Sequence, residues 1–201
     1  FMTKTVDFIF DFASPNAYLV HHAIPEIEAR TGAKFIYKPC LLGGIFKLTN
    51  NQAPMLAFGD IPLKMAYDGI EMERFIARHN LTKFQMNPHF PIITLQLMRA
   101  ATAAEADGYL MDFINAMLPC IWEKGLKMDD PEVIRTAFTE AGFDADKLFE
   151  QMGSDEIKGR LAANTQNAVD RGAFGIPTFF VGDEIFFGKE RLGQIEELLQ
   201  D

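Results

Sequence analysis

A serine followed by a proline stands at the end of the first strand-like segment, where its residue type and position could do chemistry. The segment runs from Val6 to Phe12 and leads into Ser14-Pro15-Asn16-Ala17 and a helical pattern. Ser14 is a favourable N-cap, and Pro15 fits the first turn of a helix. A hydroxyl at a helix N-terminus can hold an anion, whereas a turn without cysteine cannot exchange disulfides. The turn therefore predicts binding of an anionic group supplied by another molecule.

A second informative segment, Gly175-Ile176-Pro177-Thr178-Phe179, opens a strand-rich stretch near the other end of the chain. In a thioredoxin-like fold, a proline at this place faces the reactive turn at the start of the first helix. Pro177 is either an ordinary trans proline at a strand start or a cis proline, and we expect the cis form. A cis bond here would leave a strand edge free to pair with an extended peptide.

The elements that must position these residues follow an order with strands at both ends. The first βαβ unit consists of Val6–Phe12, a helix ended by Gly32, and a strand over 34–38. Helical patterns dominate from about Leu42 to Gly172. A hairpin over 178–187 turns at Gly182-Asp183, and a closing helix follows. This order predicts an α/β fold, a thioredoxin-like βαβ…ββα sheet with a large inserted all-helical domain. The predicted domains are a discontinuous thioredoxin-like domain, 1–41 and 173–201, and a helical insertion, 42–172.

Composition narrows the classes of partner. The 201 residues carry a net charge of −9, which argues against a nucleic-acid or anionic-membrane surface. No apolar run approaches the ~20 residues that span a bilayer, and no export signal is recognisable, so we expect a cytoplasmic protein.

Cys40 and Cys120 lack metal-ligand spacing and are expected to be buried thiols, with a disulfide as the minority alternative. We predict no metal.

Ser14 has a purely structural alternative, because most helix-capping serines have no catalytic role. No histidine or aspartate arrangement marks it as an activated nucleophile, which disfavours a serine hydrolase. Its position opposite Pro177 favours another role. A hydroxyl there can donate a hydrogen bond to a thiolate and so lower the pKa of the thiol.

Three motifs together carry a family resemblance: Asp11-Phe12-x-Ser14-Pro15-x-x-Tyr18, Gly175-Ile176-Pro177-Thr178-Phe179, and Gly188-x-x-Arg191-Leu192. In these residues the chain resembles the 2-hydroxychromene-2-carboxylate isomerase family, which is related to kappa-class glutathione transferases and the DsbA-like thioredoxin fold. The resemblance implies glutathione as cofactor, with its sulfur near Ser14 and its backbone paired with Ile176 beside Pro177. It also implies a homodimer.

The resemblance assigns further positions. Asn51 corresponds to a glutathione-contacting asparagine, with Asn50 as the alternative one residue away, and Lys47 and Asn87 correspond to substrate contacts. The family usually has Gly-x-Asp-Arg before the last helix, where the acid binds the γ-glutamyl amine. This chain has Gly188-Lys189-Glu190-Arg191, so the resemblance places cofactor contacts at Gly188, Lys189 and Glu190, with Glu190 in place of the usual aspartate.

The resulting hypothesis is a glutathione-dependent isomerase that acts on an aromatic carboxylate of the hydroxychromene type. Ser14 would hold the thiolate and Lys47 the substrate carboxylate. One alternative is a kappa-like glutathione transferase or peroxidase that uses the same site and consumes glutathione. A second alternative is a redox-inactive thioredoxin-fold module that binds peptides along the edge beside Pro177.

Overall fold

In the computed structural model, which describes residues 4–201, four strands form one mixed sheet in the order β2-β1-β3-β4. Strand β1 (Thr5–Phe10) runs parallel to β2 (Lys34–Pro39) and antiparallel to β3 (Thr178–Val181), which pairs antiparallel with β4 (Glu184–Phe187). Strands from both ends of the chain thus meet in one sheet, and the predicted thioredoxin-like α/β fold is confirmed.

Ten α-helices are present in residues 4–201. They are α1 (Pro15–Thr31), α2 (Leu42–Thr49), α3 (Pro54–Ala57), α4 (Pro62–Arg78), α5 (Leu95–Ala106), α6 (Leu110–Trp122), α7 (Pro131–Glu140), α8 (Ala145–Met152), α9 (Asp155–Asp170) and α10 (Leu192–Gln200). Of these, α2 to α9 occupy most of the chain between β2 and β3. A short 3₁₀ helix, Lys189–Arg191, precedes α10. Both α5 and α9 contact β2, so the helical segment packs directly on the sheet. Its division from the sheet as a separate domain stays a prediction.

Strand β1 ends two residues earlier than its apolar pattern predicts. It was expected to reach Phe12 but ends at Phe10. The next residue, Asp11, is fully buried and turns its carboxylate towards backbone amides outside the strand. Pairing of the strand therefore stops where this side chain needs other hydrogen-bond partners.

Aromatic rings fill the core on the α1 side of the sheet. The Phe8 ring stacks on Phe179 with centroids 5.1 Å apart, and it meets Tyr37 edge-on at 4.9 Å. The Tyr37 hydroxyl contacts His21 Nδ1 of α1 at 2.7 Å. Because His21 and His22 lie next to each other on the first helix, the sequence predicts surface placement for both. His22 is exposed, but His21 is half-buried because it fills the space between Tyr37 and Asn115.

Cys40 and Cys120 are buried free thiols, as expected. Burial, followed by the nearby charge of Asp11, raises the pKa of Cys40 to about 12. A thiol with such a pKa stays protonated at neutral pH and is a poor nucleophile. Neither cysteine therefore substitutes for the sulfur that is missing from the turn at Ser14.

Candidate active site

Ser14 is the N-cap of α1 and is almost completely buried, with 5% of its surface exposed. Its Oγ atom accepts a hydrogen bond of 3.2 Å from the Ala17 amide, as an N-cap should. The same hydroxyl donates its proton to the Ile176 carbonyl at 3.2 Å. Residues 162 positions apart thereby meet, and the expected juxtaposition of the turn with the segment around Pro177 is present.

The Ile176-Pro177 peptide bond is cis, which confirms that expectation. Because Ile176 lies outside every strand, its amide belongs to no sheet ladder, and it donates to no protein acceptor among residues 4–201. Next to it, the Pro177 carbonyl accepts a bond of 3.0 Å from the Gly188 amide. A backbone donor beside Ser14 is thus available to another molecule.

Gly188 begins the turn that carries the two charged residues Lys189 and Glu190. Its φ is +97°, a backbone conformation that residues with a Cβ rarely adopt, so glycine is strongly favoured at this turn. The Lys189 side chain is 5% exposed and its Nζ donates to Glu190 Oε1 at 2.7 Å. Burial raises the pKa of Glu190, but the bond from Lys189, a backbone hydrogen bond and the charges of Lys189 and Arg191 together outweigh burial, so the net pKa is lowered. Glu190 is therefore ionised at neutral pH.

Asn51 lies on the same side as the Ile176 segment. Its Nδ2 donates to the Phe174 carbonyl at 2.8 Å, and its Oδ1 accepts from the Gln52 amide at 2.8 Å. The preceding residue, Asn50, adopts a left-handed conformation that ends α2. Of the two asparagines, Asn51 is thus the one whose side chain reaches the segment that carries Ile176.

Lys47 is exposed in the last turn of α2, one helical turn before Asn51. No carboxylate in residues 4–201 forms an ion pair with it. Its ammonium group is therefore available to an anionic ligand. Lys47, the predicted contact of the substrate carboxylate, and Asn51, the predicted glutathione contact, therefore lie in one short segment.

No hydrogen bond joins Asn87, a predicted substrate contact, to the cluster around Ser14. It is 3% exposed, and its Nδ2 donates to the Ile121 and Leu126 carbonyls at 2.9 and 2.8 Å. Its Oδ1 accepts from the His89 amide at 2.8 Å. The side chain orders the loop between α4 and α5, and its role as a substrate contact stays a prediction.

Asp11 is the residue for which the sequence analysis assigned no role. Its Oδ1 accepts from the Ala13 amide at 2.9 Å and from the Thr94 hydroxyl at 2.6 Å, and its Oδ2 accepts from the Leu42 amide at 2.7 Å. Burial raises the pKa of Asp11, against the opposing effect of these bonds. A charge inside the apolar run Phe10-Asp11-Phe12 was the signal that could have revealed it.

Trp122 at the end of α6 also supports the Ser14 turn, and the sequence analysis did not identify it. Its indole N–H donates to the Phe12 carbonyl at 2.9 Å, across 110 positions of the chain. Its ring stacks on Phe84 with centroids 6.0 Å apart. The backbone just before Ser14 is therefore held by a rigid buried side chain.

Within residues 4–201, no cluster of three or more His, Cys, Asp or Glu side chains is suited to hold a metal ion. In the same part of the chain, no helix is both long and apolar enough to cross a bilayer.

Comparison with known proteins places the chain in a family. The family model of the DSBA-like thioredoxin domain matches residues 5–200. A 2-hydroxychromene-2-carboxylate isomerase of Sphingobium xenophagum is 31% identical over 202 residues, covering 100% of both chains. Glutathione S-transferase kappa 1 of Homo sapiens is 24% identical, covering 98% of this chain and 92% of the relative.

Among solved structures, a 2-hydroxychromene-2-carboxylate isomerase superposes with a TM-score of 0.81 at 22% identity, covering 97% of this chain and 94% of that one. This likeness agrees with the sheet order and the long helical segment described above. The motifs, the fold and the full-length match to the relatives agree. The chain belongs to the DSBA-like thioredoxin domain family and, within it, to the family of the 2-hydroxychromene-2-carboxylate isomerases.

Proposed function

We propose that this protein is a glutathione-dependent isomerase that acts on an aromatic carboxylate of the hydroxychromene type. The observation that carries the proposal is the contact between the Ser14 hydroxyl and the Ile176 carbonyl at 3.2 Å, beside a free backbone amide. This contact brings together a hydroxyl donor, a helix N-terminus and a backbone amide whose chemistry suits an extended peptide. The relatives named as isomerases and kappa glutathione transferases support the same reading.

The residues present fit glutathione by their chemistry. The backbone of Ile176 suits the peptide part of the tripeptide, and the ionised Glu190 suits its γ-glutamyl ammonium group. Glu190 also forms an ion pair with Lys189, whose ammonium group can bind the γ-glutamyl carboxylate. Asn51 lies beside the Phe174 carbonyl and would contact the remaining polar groups. These assignments are part of the proposal.

The chemistry that glutathione would supply is a thiolate nucleophile, used in addition to a conjugated double bond and regenerated in elimination. Ser14 would stabilise the thiolate by turning its O–H from Ile176 to the sulfur, and the N-terminus of α1 would add its positive potential. Lys47, which is exposed and free of ion pairs among residues 4–201, would bind the carboxylate of the substrate. The aromatic substrate is proposed from the family alone, and the family resemblance also implies the homodimeric state.

A kappa-like glutathione transferase or peroxidase is the second candidate, because the human kappa transferase matches 98% of this chain. Stoichiometry separates the two activities. Isomerisation leaves the concentration of glutathione unchanged over many turnovers, whereas conjugation or peroxide reduction consumes it in proportion to product. A thioredoxin-fold module without catalysis would show neither turnover nor glutathione binding.

The proposal is tested by calorimetric titration of glutathione into the wild-type protein and the variants Ser14→Ala and Glu190→Ala. Glu190→Ala should weaken binding roughly 3- to 10-fold, since its half-exposed carboxylate is partly screened. Ser14→Ala should raise the pKa of the bound thiol by about one to two units and lower kcat roughly 10- to 100-fold, because one bond to a charged group is lost.

Ser154 offers a matched control for Ser14. It caps α9 in the same way, accepting from the Ile157 amide at 3.3 Å and donating to the Gln151 carbonyl at 2.8 Å. Ser154→Ala should therefore leave glutathione binding and turnover unchanged. Absence of glutathione binding by the wild-type protein at millimolar concentration would reject both enzymatic functions.

A further inference from the structure

The carboxylate of Asp11 joins three segments that are far apart in the sequence. Its partners are 2, 31 and 83 positions away, namely Ala13, Leu42 and Thr94. Asp11 is fully buried, and no lysine, arginine or histidine among residues 4–201 forms an ion pair with it. Because burial of a carboxylate without a cation is unfavourable, its presence calls for a specific reason.

Two of the three partners are the starting points of helices. Leu42 is the first residue of α2, whose N-cap Leu41 has no capping side chain, so Asp11 satisfies an amide that the helix leaves unpaired. Thr94 is the N-cap of α5, yet its hydroxyl caps nothing and is donated to Asp11 instead. One carboxylate therefore fixes the starts of both helices.

The third partner, Ala13, directly precedes Ser14 in the turn that leads into α1. Helix α2 carries Lys47 and is followed by Asn51. Asp11 thus connects the backbone that presents the hydroxyl to the helix that presents the cation. A rigid, planar group with two acceptor oxygens is well suited to set their separation.

We propose that Asp11 is a positioning residue whose carboxylate sets the placement of the Ser14 turn relative to α2, without contacting cofactor or substrate. The consequence for turnover rests on the function proposed above. Misplacement of reacting groups by fractions of an ångström lowers rates steeply, so a loosened Asp11 should reduce kcat more than binding.

An asparagine cannot make the same set of bonds. Its side chain has nearly the same volume, but only one oxygen accepts and the NH₂ group donates. In Asp11→Asn the NH₂ group must face an N–H or O–H donor, either that of Leu42 or those of Ala13 and Thr94. At least one connection is then lost without creation of a cavity.

The experiment compares hydrogen exchange of the Ala13 and Leu42 amides in Asp11→Asn, Thr94→Val and the wild type, each relative to buried amides of α9. In Asp11→Asn we expect exchange to be at least about 10-fold faster at the amide that faces the NH₂ group, Leu42 or Ala13, since its bond to a charged group is lost. In Thr94→Val the carboxylate loses one of its three anchors, and exchange at both amides should be faster than in the wild type. Thr94→Ser, which keeps the hydroxyl, should restore wild-type rates. Thr102→Val is the matched control, because Thr102 is a fully buried residue of α5 whose hydroxyl bonds only to the Met98 carbonyl.

Kinetics and the pKa of bound glutathione form the second readout. Thr94→Val should lower kcat roughly 10-fold and raise the pKa of the bound thiol, while the KM for glutathione stays within about 3-fold. Unchanged exchange at both Ala13 and Leu42 in Asp11→Asn, or equal losses in Thr102→Val and Thr94→Val, would overturn the proposal. Should Asp11→Asn fail to fold, the two Thr94 variants decide. If the wild-type protein shows no glutathione-dependent turnover, the proposed function is rejected. The exchange test of Asp11 remains valid in that case.

Discussion

Both hydrogen-bonding functions of the Ser14 hydroxyl are in use, and this determines what the residue can do. As an acceptor it caps α1 through the Ala17 amide, and as a donor it bonds to the Ile176 carbonyl. A thiolate competes only for the donor function, so the cap persists when the O–H turns. Since a bond to a charged sulfur is stronger than one to a neutral carbonyl, that turn is favourable. Structural and proposed catalytic roles of Ser14 are thus compatible.

His21 makes a pH-dependent contribution to stability that can be measured. Burial, with a smaller effect of His22, lowers the pKa of His21 to about 4, although its bond to Asn115 opposes the shift. The unfolded chain, with an ordinary value of about 6.5, then binds more protons between these pH values, so stability rises with pH in this window. We expect the free energy of unfolding to fall by about 2 kcal/mol between about pH 7 and about pH 5.

Urea denaturation of the wild type and His21→Gln at both pH values measures this contribution. The variant should lose most of the pH dependence that His21 provides. Asn115→Asp should act in the opposite direction, because a carboxylate at 2.8 Å from His21 Nε2 favours the protonated ring. Equal pH dependence in wild type and His21→Gln would show that the lowered pKa does not affect folding.

At the scale of elements, the end of α6 supports the β1–α1 turn at Phe12, the residue that follows Asp11. Trp122 donates to the Phe12 carbonyl, and its ring contacts both Phe84 and Phe90. The loop before α5 is in turn anchored to α6 through Asn87 and the Ile121 carbonyl. Residues of the helical segment therefore stabilise the turn that carries Ser14, although they are far from it in the sequence.

Trp122→Phe should remove about 2–4 kcal/mol from the free energy of unfolding. The buried Phe12 carbonyl loses its donor, which costs about 1–3 kcal/mol, and the smaller ring leaves a cavity. Phe84→Leu is the control, because it disturbs the same aromatic cluster but keeps the indole N–H. Denaturation with urea measures both, and a loss in Trp122→Phe no larger than in Phe84→Leu would contradict a contribution from the hydrogen bond.

At the scale of the whole molecule, α4 presents an apolar stripe to solvent. No residue of α4 is buried, and Leu63, Tyr67 and Ile70, spaced along one face, are 85%, 55% and 46% exposed. Asp60 precedes the helix and Arg78 ends it, and neither forms an ion pair within residues 4–201. Two antiparallel copies of α4 would cover the stripe and bring these opposite charges together.

We therefore expect a homodimer that depends on this face of α4. Sedimentation equilibrium of the wild type should give a dimer, and Leu63→Glu should shift it to a monomer, since a charge would be buried in an apolar contact. Ile93→Glu is the control, because Ile93 is 73% exposed but lies outside α4. A monomeric wild type, or a dimer unaffected by Leu63→Glu, would contradict the expectation.

Features set by neighbouring residues were determined by the sequence alone. The cap at Ser14, the left-handed glycine that ends α1 at Gly32, and the hairpin at Gly182-Asp183 all follow from rules that act over a few positions. The strands at both ends and the helices between them followed from hydrophobic periodicity. The family motifs then pointed to Ser14, Ile176 and Pro177, because these residues keep recognisable neighbours in the chain.

Contacts between distant segments were decided only by the tertiary structure. The sequence analysis assigned no role to Asp11 and did not foresee that Trp122 donates to the Phe12 carbonyl, nor could it choose between Asn50 and Asn51. These bonds span tens to more than a hundred positions, and no local pattern encodes which polar groups will meet. A buried polar side chain forms hydrogen bonds with the groups that tertiary packing brings next to it. Its partners are therefore determined only when the helices pack on the sheet.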